Sequence, residues 1–384
     1  MAPMTRGKGI DRRALLGAGA ALGGLGVVGA CGATRAADEP ARAAAGAQRP
    51  LDLLILGGTG FLGPHVVERA LERGHTMTLF NRGRTDPGRF AELEQLRGDR
   101  DHDLDALRGR SWDAVIDTSG YVPRHVRGPA ELLEPHVGQY LFVSTCSVYP
   151  DLGTLAIDET SRLAEIDDPT IERVDGETYG ALKVLCERAA EEVLPGRTTV
   201  VRPGLIVGPG DTSDRFGYWP RRVADGGEVL APGDPRWQTQ FSDVRDLAAF
   251  MVHLLEARTT GVFNVDGPAQ PIAMGELLET CVEVSGSGAE LTWVDWPFLQ
   301  EQGARPWADL PAWQPPPEGA EQVPSVSCAR GFAAGLRFRP VAETVAATIE
   351  YERSREPRER PPRFGWTRER EAEVLSAWHA RAPG

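Results

Sequence analysis

The five cysteines of this 384-residue chain (Cys31, Cys146, Cys186, Cys281, Cys328) form no C-x-x-C pair, which argues against a disulfide framework and a thiolate zinc site. Its seven histidines never fall in H-x-H or H-x-x-x-H spacing, so no metal site is expected. Positive charge is also short. With 42 Lys and Arg against 55 Asp and Glu, the net charge of −13 disfavours nucleic acid as a partner, because nucleic-acid binders present a basic face. No internal repeat is visible, which removes the solenoid architectures. Apolar runs stay below the ~20 residues a membrane span needs. What remains is ordinary for a folded enzyme-sized protein: 41% hydrophobic and 25% charged residues, enough for one large domain or two smaller ones.

The first thirty residues read as a leader outside the fold. Arg6, Lys8, Arg12 and Arg13 form a basic head, followed by an uncharged stretch, Ala14 to Ala30, rich in Ala, Gly, Leu and Val. Arg12-Arg13-Ala-Leu-Leu resembles a twin-arginine export signal, and Val28-Gly-Ala-Cys31 resembles a lipobox, where a lipoprotein precursor is lipidated on Cys and cleaved before it. The expectation is a signal peptide over 1–30, a flexible Ala-rich tether over 31–49, and a protein exported and held at the extracytoplasmic membrane face through lipid on Cys31. A cytoplasmic location is the weaker alternative. Since no pool of reduced nicotinamide is found outside the cytoplasm, any dinucleotide should be held tightly and regenerated within each turnover.

The most informative stretch follows. Leu51-Asp-Leu-Leu-Ile-Leu is a short apolar run ending at Gly57, Gly60 and Gly63, spaced G-x-x-G-x-x-G, and an amphipathic segment, Phe61 to Arg73, begins at once. That order is strand, tight turn, helix: the glycines let the chain turn, let a pyrophosphate approach the helix N-terminus, and let helix and strand pack closely. Gly74 closes the helix, and Thr76–Phe80 reads as the second strand. Trp112–Asp117, Gln139–Ser144, Thr198–Pro203 and Gly261–Val265 read as further strands and Thr178–Leu194 as a long helix, an alternation that means a doubly wound parallel sheet. A final helix is capped by Thr367.

Tyr179-Gly-Ala-Leu-Lys183 places a phenol and an ammonium on one helix face; a nearby cation would favour phenolate, as an acid/base residue requires. Upstream, the strand 139–144 runs into Thr145-Cys-Ser-Val-Tyr149, where a hydroxyl can reach a substrate oxygen.

Together with Arg202-Pro203, Val207-Gly-Pro209 and Asp243-Val-Arg-Asp246, these motifs resemble the extended short-chain dehydrogenase/reductase family, the NAD-dependent epimerase/dehydratase group, in order over roughly residues 50 to 350. The resemblance implies a Rossmann-type α/β domain (50–203 plus 240–266), a smaller substrate lobe (204–239 plus 267–350), and a C-terminal linker and helix (351–384). It implies Thr145, Tyr179 and Lys183 as catalytic residues, with Lys183 also holding the nicotinamide ribose. It implies NAD(P) held by Gly57, Thr59, Gly60, Phe61, Leu62, Gly63, Asn81, Arg82, Asp99, Arg100 and Lys183, with Asp99 at the adenine edge.

Three departures narrow this. The end of the second strand reads Phe80-Asn81-Arg82-Gly83-Arg84, without the acidic residue of NAD-preferring members, so the cofactor leans towards NADP. Cys146-Ser147 follows Thr145 where sugar-nucleotide dehydratases carry Asp-Glu, which disfavours that dehydration. Thr239 stands where nucleotide-sugar enzymes place a diphosphate-gripping Arg, leaving Arg221, Arg222 or Arg236 as substitutes. Six of the nine Trp (219, 237, 293, 296, 307, 313) fall in or near the lobe and are expected to pack it rather than stack on sugar. The expected function is an NAD(P)-dependent epimerase or oxidoreductase acting on a hydroxyl-bearing, sugar-like small molecule, with a homodimer left open. The alternative is a non-catalytic NAD(P)-binding scaffold or sensor, since Phe-Asn-Arg-Gly and Asp117-Thr-Ser-Gly-Tyr resemble an atypical subgroup that includes chloroplast stem-loop-binding proteins.

Overall fold

Seven parallel strands, each ending at the same edge, organise the molecule. A computed structural model describes residues 49–152, 157–316, 325–355 and 363–381. The twin-arginine motif, Cys31 and the tether up to residue 48 lie outside the described residues. The strands are β1 (Asp52–Leu56), β2 (Thr76–Asn81), β3 (Glu94–Arg97), β4 (Trp112–Asp117), β5 (Val137–Val143), β6 (Thr198–Pro203) and a last strand, Gly261–Val265. Their order across the sheet is Gly261–Val265, β6, β5, β4, β1, β2, β3. From β1 the chain runs outward to β2 and β3, then returns to build β4, β5 and β6 on the other side. The switch point between β1 and β4 opens a crevice at the carboxyl ends, where ligands bind in this topology.

The registers explain the apolar runs. Leu54 lies between Thr78 of β2 and Val115 of β4, with helices covering both faces. Such strands show no alternation because neither face meets water. Helices α1 (Leu62–Glu72) and α5 (Val244–Glu256) cover one face, and α2 (Pro123–Leu133) and α3 (Tyr179–Val193) the other. Leu53, Ile55, Val66, Val67, Leu247 and Met251 are sealed on the first face, and Leu54, Leu56, Val126, Leu133, Phe142 and Cys186 on the second. Each such large apolar side chain contributes roughly 1.5–3 kcal/mol. β3, an edge strand of four half-exposed or exposed residues, carries no periodicity that the sequence could have shown.

The lobe has its own core around Phe216, Trp219, Leu277, Phe298 and Leu375. Its strand Glu228–Pro232 pairs in parallel with Glu290–Val294, and α4 (Tyr218–Ala224) packs on the helix Met274–Ser285. Two assignments by sequence position are revised. Cys328 and Leu336 pack with the sheet core although they fall within 267–350. The C-terminal helix Arg368–His379, capped by Thr367, belongs to the lobe: Val374 and Leu375 enter its core, and buried Glu371 bonds Arg222 and the Leu230 amide. Among the described residues no helix is long and apolar enough to cross a membrane.

Candidate functional site

Each glycine of the first turn meets a different physical demand. Gly57 and Gly58 have φ of +120° and +93°, which side chains rarely adopt, and so make the turn itself. A Cβ on Gly63 would lie 2.5 Å from Gly58 Cα, so α1 can seat on the turn only with hydrogen there. A Cβ on Gly60 would meet nothing within 4 Å, because it borders open space. The helix then starts without a side-chain cap and with no acidic residue in its first turn, leaving its N–H groups and positive dipole end free for an anion.

This turn floors a cavity of about 480 Å³ that also reaches Asn81, Arg82, Arg84, Asp99, Arg100 and Lys183, so every residue expected to hold the dinucleotide lines it. The residues fit the group. Asn81 closes β2: its Oδ1 accepts from the Gly83 amide at 2.8 Å and from Arg97, fixing the Arg82–Arg84 turn. Arg82 and Arg84 are exposed and have no side-chain partner among the described residues. Asp99 is partly buried at the base of its own turn, accepting from the Asp101 amide at 3.2 Å. Arg100 has a second, structural role. Its guanidinium bonds both oxygens of fully buried Asp117 (3.0 and 3.1 Å), the His125 carbonyl and Ser119, so it braces the cavity wall.

Thr145, Tyr179 and Lys183 converge as expected, but their electrostatics differ. Lys183 is buried, and its Nζ donates at 2.7 Å to the carbonyls of Gly120 and Val143, with the Phe142 ring centroid 4.1 Å away. Burial lowers its pKa to about 8. The expectation that Lys183 makes Tyr179 more acidic is not met. Burial raises the Tyr179 phenol above its ordinary value, opposed by a hydrogen bond with Thr145 and the charge of Arg215. Lys183 is turned to the strand-end carbonyls, and Thr145 and Arg215 do the tuning. Thr145 is itself rigid: its Oγ1 accepts from the Ser147 amide at 3.1 Å, capping a single 3-10 turn. Tyr149 of the same turn is a brace, bonding Asn264 at 2.7 Å and Arg202 at 3.0 Å.

Tyr179 also borders a second cavity of about 480 Å³, lined by Thr145, Arg215, Trp237, Thr239, Asp266 and Trp307 among others. Tyr179 therefore lines both cavities. The arginines expected as a diphosphate grip are elsewhere: Arg222 is buried against Glu371, Arg236 bonds Asp234, and Arg221 lies 3.9 Å from Glu352. Thr239 is in place but donates to the Ala312 carbonyl at 2.8 Å. Of the tryptophans, Trp219 and Trp313 are core, while Trp237 and Trp307 are half-buried on the cavity wall. Arg215 and Asp266 escaped the sequence reading. Neither belongs to a recurrent spacing, although Asp266 directly follows a recognised strand, at the edge where ligands bind.

A family model described as NAD dependent epimerase/dehydratase family matches residues 53–266. Among curated proteins, the chain is 26% identical over 259 residues to the chloroplast stem-loop binding protein of 41 kDa b from Arabidopsis thaliana, covering 61% of this chain and 63% of that protein, under two thirds of its length. It is 28% identical over 247 residues to the epimerase family protein SDR39U1 from Mus musculus, covering 59% of this chain and 78% of that one. Among solved structures, a UDP-glucuronic acid 4-epimerase from Bacillus cereus in complex with NAD superposes with a TM-score of 0.58 at 15% identity, covering 79% and 97% of the two chains. A UDP-glucose 4-epimerase from Thermotoga maritima with UDP-glucose gives 0.54 at 19%, covering 79% and 99%. At these identities the structural likeness is one of fold.

Proposed function

The chain belongs to the NAD dependent epimerase/dehydratase family, and from that premise we propose that it is an NAD(P)-dependent epimerase or oxidoreductase acting on a hydroxyl-bearing small molecule by reversible hydride transfer. The observation that carries this reading is the position of Tyr179, on the wall of both the nucleotide-sized cavity and the second cavity, beside Thr145. When bound, the dinucleotide supplies a nicotinamide that accepts and returns a hydride. The chain's residues manage the proton. Thr145 orients the substrate oxygen, Tyr179 takes up and returns its proton, and Lys183 places a positive charge in the cofactor cavity.

Two finer points belong to the same reading. Arg82 and Arg84, with Asn81 in place of a carboxylate at the end of β2, support a preference for NADP through its 2′-phosphate. The leader motifs support export and lipidation at Cys31, and mass spectrometry of the membrane fraction should find a diacylglycerol-modified N-terminal cysteine. That placement favours epimerisation, which needs no net electron partner.

The decisive experiment is Tyr179→Phe. Turnover should fall by about 10²–10⁴-fold with nucleotide affinity kept. Unchanged turnover, or no nucleotide binding in either protein, would sink the reading. The rival, a non-catalytic nucleotide-binding module, would show no measurable loss in this variant.

A further inference from the structure

The second cavity contains one polar group that the fold leaves unspent. Asp266 follows the last strand directly, and its backbone is fixed twice: its carbonyl accepts from Gln240 at 3.1 Å, and its amide points at Cys328 Sγ, 3.1 Å away. Gln240 is itself saturated, since its Oε1 accepts from the Val326 amide at 3.0 Å. The Asp266 carboxyl rests against Gly204, where a Cβ would come within 2.1 Å of Oδ1, so a glycine at 204 is what makes room for it. Oδ1 is shut off from solvent and has no hydrogen-bond partner among the described residues. A buried polar group left in this state costs about 1–3 kcal/mol, and a turn of the Asp266 side chain into the cavity it lines would let a ligand hydrogen bond offset that cost.

The remaining wall says what sort of ligand. Arg215 is the sole basic side chain among the described residues lining this cavity. Its Nε donates to Ser213 Oγ at 3.0 Å, while its two terminal nitrogens have no partner among the described residues. Its charge is felt at the Tyr179 phenol, so it stands near the reacting hydroxyl. One guanidinium matches one carboxylate. A diphosphate would meet no second cation, and its charge would share the cavity with the Asp266 carboxyl. Trp237 and Trp307 supply apolar surface for a ring.

We propose that Asp266, seated by Gly204, selects the substrate by hydrogen-bonding a hydroxyl of a free sugar acid whose single carboxylate is held by Arg215. This rests on the reading of Tyr179 and Thr145 as the seat of the reacting hydroxyl. Burial lifts the Asp266 carboxyl to about 7. In its protonated form it offers a donor and an acceptor to the substrate without repelling its carboxylate. The titratable groups around it are the Cys146 and Cys328 thiols, both pushed up by burial and so neutral near pH 7, with Glu159 beyond them bonding the Asn264 amide. Arg215 and Tyr179 face it from the cavity wall.

The test is a titration of the nucleotide-loaded full chain, read by quenching of intrinsic tryptophan fluorescence, with sodium D-glucuronate, D-glucose and UDP-glucuronate as probes. Glucuronate should bind at least ten-fold more tightly than glucose at pH 6, and Arg215→Gln should erase that difference. Asp266→Leu should weaken both sugars by about ten- to a hundred-fold. Asp266→Asn, which keeps a donor and an acceptor, should stay within a few-fold of wild type and lose the fall in glucuronate affinity between pH 6 and 8. UDP-glucuronate binding more tightly than glucuronate overturns the proposal, as does wild-type binding by Asp266→Leu or no binding of glucuronate at all. Should Asp266→Leu fail to fold, judged by loss of nucleotide, the pH profile of Asp266→Asn decides alone. Tyr179→Phe keeps the two readings apart, because it should abolish hydride transfer while the preference for glucuronate over glucose persists.

Discussion

The two cavities that Tyr179 lines are equal in volume and opposite in construction. The nucleotide cavity is made largely from the ends of neighbouring strands, each contributing a short run: 57–63, 80–85, 98–101, and 118, 119 and 121. Its shape is dictated by backbone, through positive φ at Gly57 and Gly58, the helix seat at Gly63, and the carbonyls that hold Lys183. The second cavity gathers residues from Ser144 to Val326 and borrows a wall from the lobe. The first is fixed by the turn geometry of a parallel sheet; the second joins strand-end residues such as Thr145, Gly204 and Asp266 to a wall set by how the lobe packs. A family can therefore keep one cofactor and vary what it acts upon.

If that division is real, damage to the lobe should destabilise the protein without disturbing the nucleotide. Glu371→Ala is the strongest way to press on it. It strands the Arg222 guanidinium in the lobe core and removes the acceptor of the Leu230 amide. The loss should be about 3–5 kcal/mol in urea unfolding, because an uncompensated buried charge remains. Nucleotide affinity should hold wherever the variant is folded; a parallel fall would show the two halves to be one cooperative unit. The next largest effect separates two glycines of the turn. Gly63→Ala drives a Cβ into the Gly58 backbone and should cost about 1–3 kcal/mol together with nucleotide binding. Gly60→Ala meets no atom and should leave stability unchanged while weakening nucleotide binding alone. Calorimetric titration and thermal unfolding of the pair measure this directly.

The same contrast governs what could be read from the chain. The seven-stranded sheet was legible apart from β3, because strands buried on both faces give unbroken apolar runs and the turn glycines mark where they end. The nucleotide residues were legible because each lies within a few positions of a strand end. Arg100 shows the limit: its neighbourhood was right, but its pairing with Asp117, seventeen residues away, depends on β4 lying beside β1. Lys183 shows a second limit. Helical spacing puts it near Tyr179, yet only the folded strand ends reveal that Gly120 and Val143 claim its ammonium. Arg215 and Asp266 are brought together by long-range packing and carry no spacing that announces them.

Lys183 also offers a softer probe of the nucleotide side. Burial lowers it to about 8 from an ordinary value of 10.5. Below about 8 the folded protein carries the charge, and nucleotide affinity should be greatest there. As pH climbs through 8 the charge is lost and the dissociation constant should rise several-fold. Between about 8 and 10.5 the unfolded chain still binds the proton and the folded one does not, so the stability of the nucleotide-free protein should increase with pH there. Titrations from pH 6.5 to 9.5, with Lys183→Met as the flat control, would show it. A flat wild-type profile would mean the ammonium does not help hold the nucleotide.

The smallest expected effect bears on which dinucleotide the cavity takes. Arg82 and Arg84 sit at the mouth, exposed and with no ion pair among the described residues, so water screens them and neither can contribute much alone. A 2′-phosphate held by one of them would gain about 1 kcal/mol, roughly a five-fold preference for NADP over NAD at low salt. Arg82→Ala should erase most of that ratio, chiefly by weakening NADP, and raised ionic strength should do the same to the wild type. Asn81→Asp makes the opposite change by restoring a carboxylate at the end of β2, and should tilt the preference towards NAD. It would also put that carboxylate beside Arg97, which already bonds Asn81. If neither substitution moves the ratio, the dinucleotide is discriminated deeper in the cavity, where the backbone of the turn sets the fit.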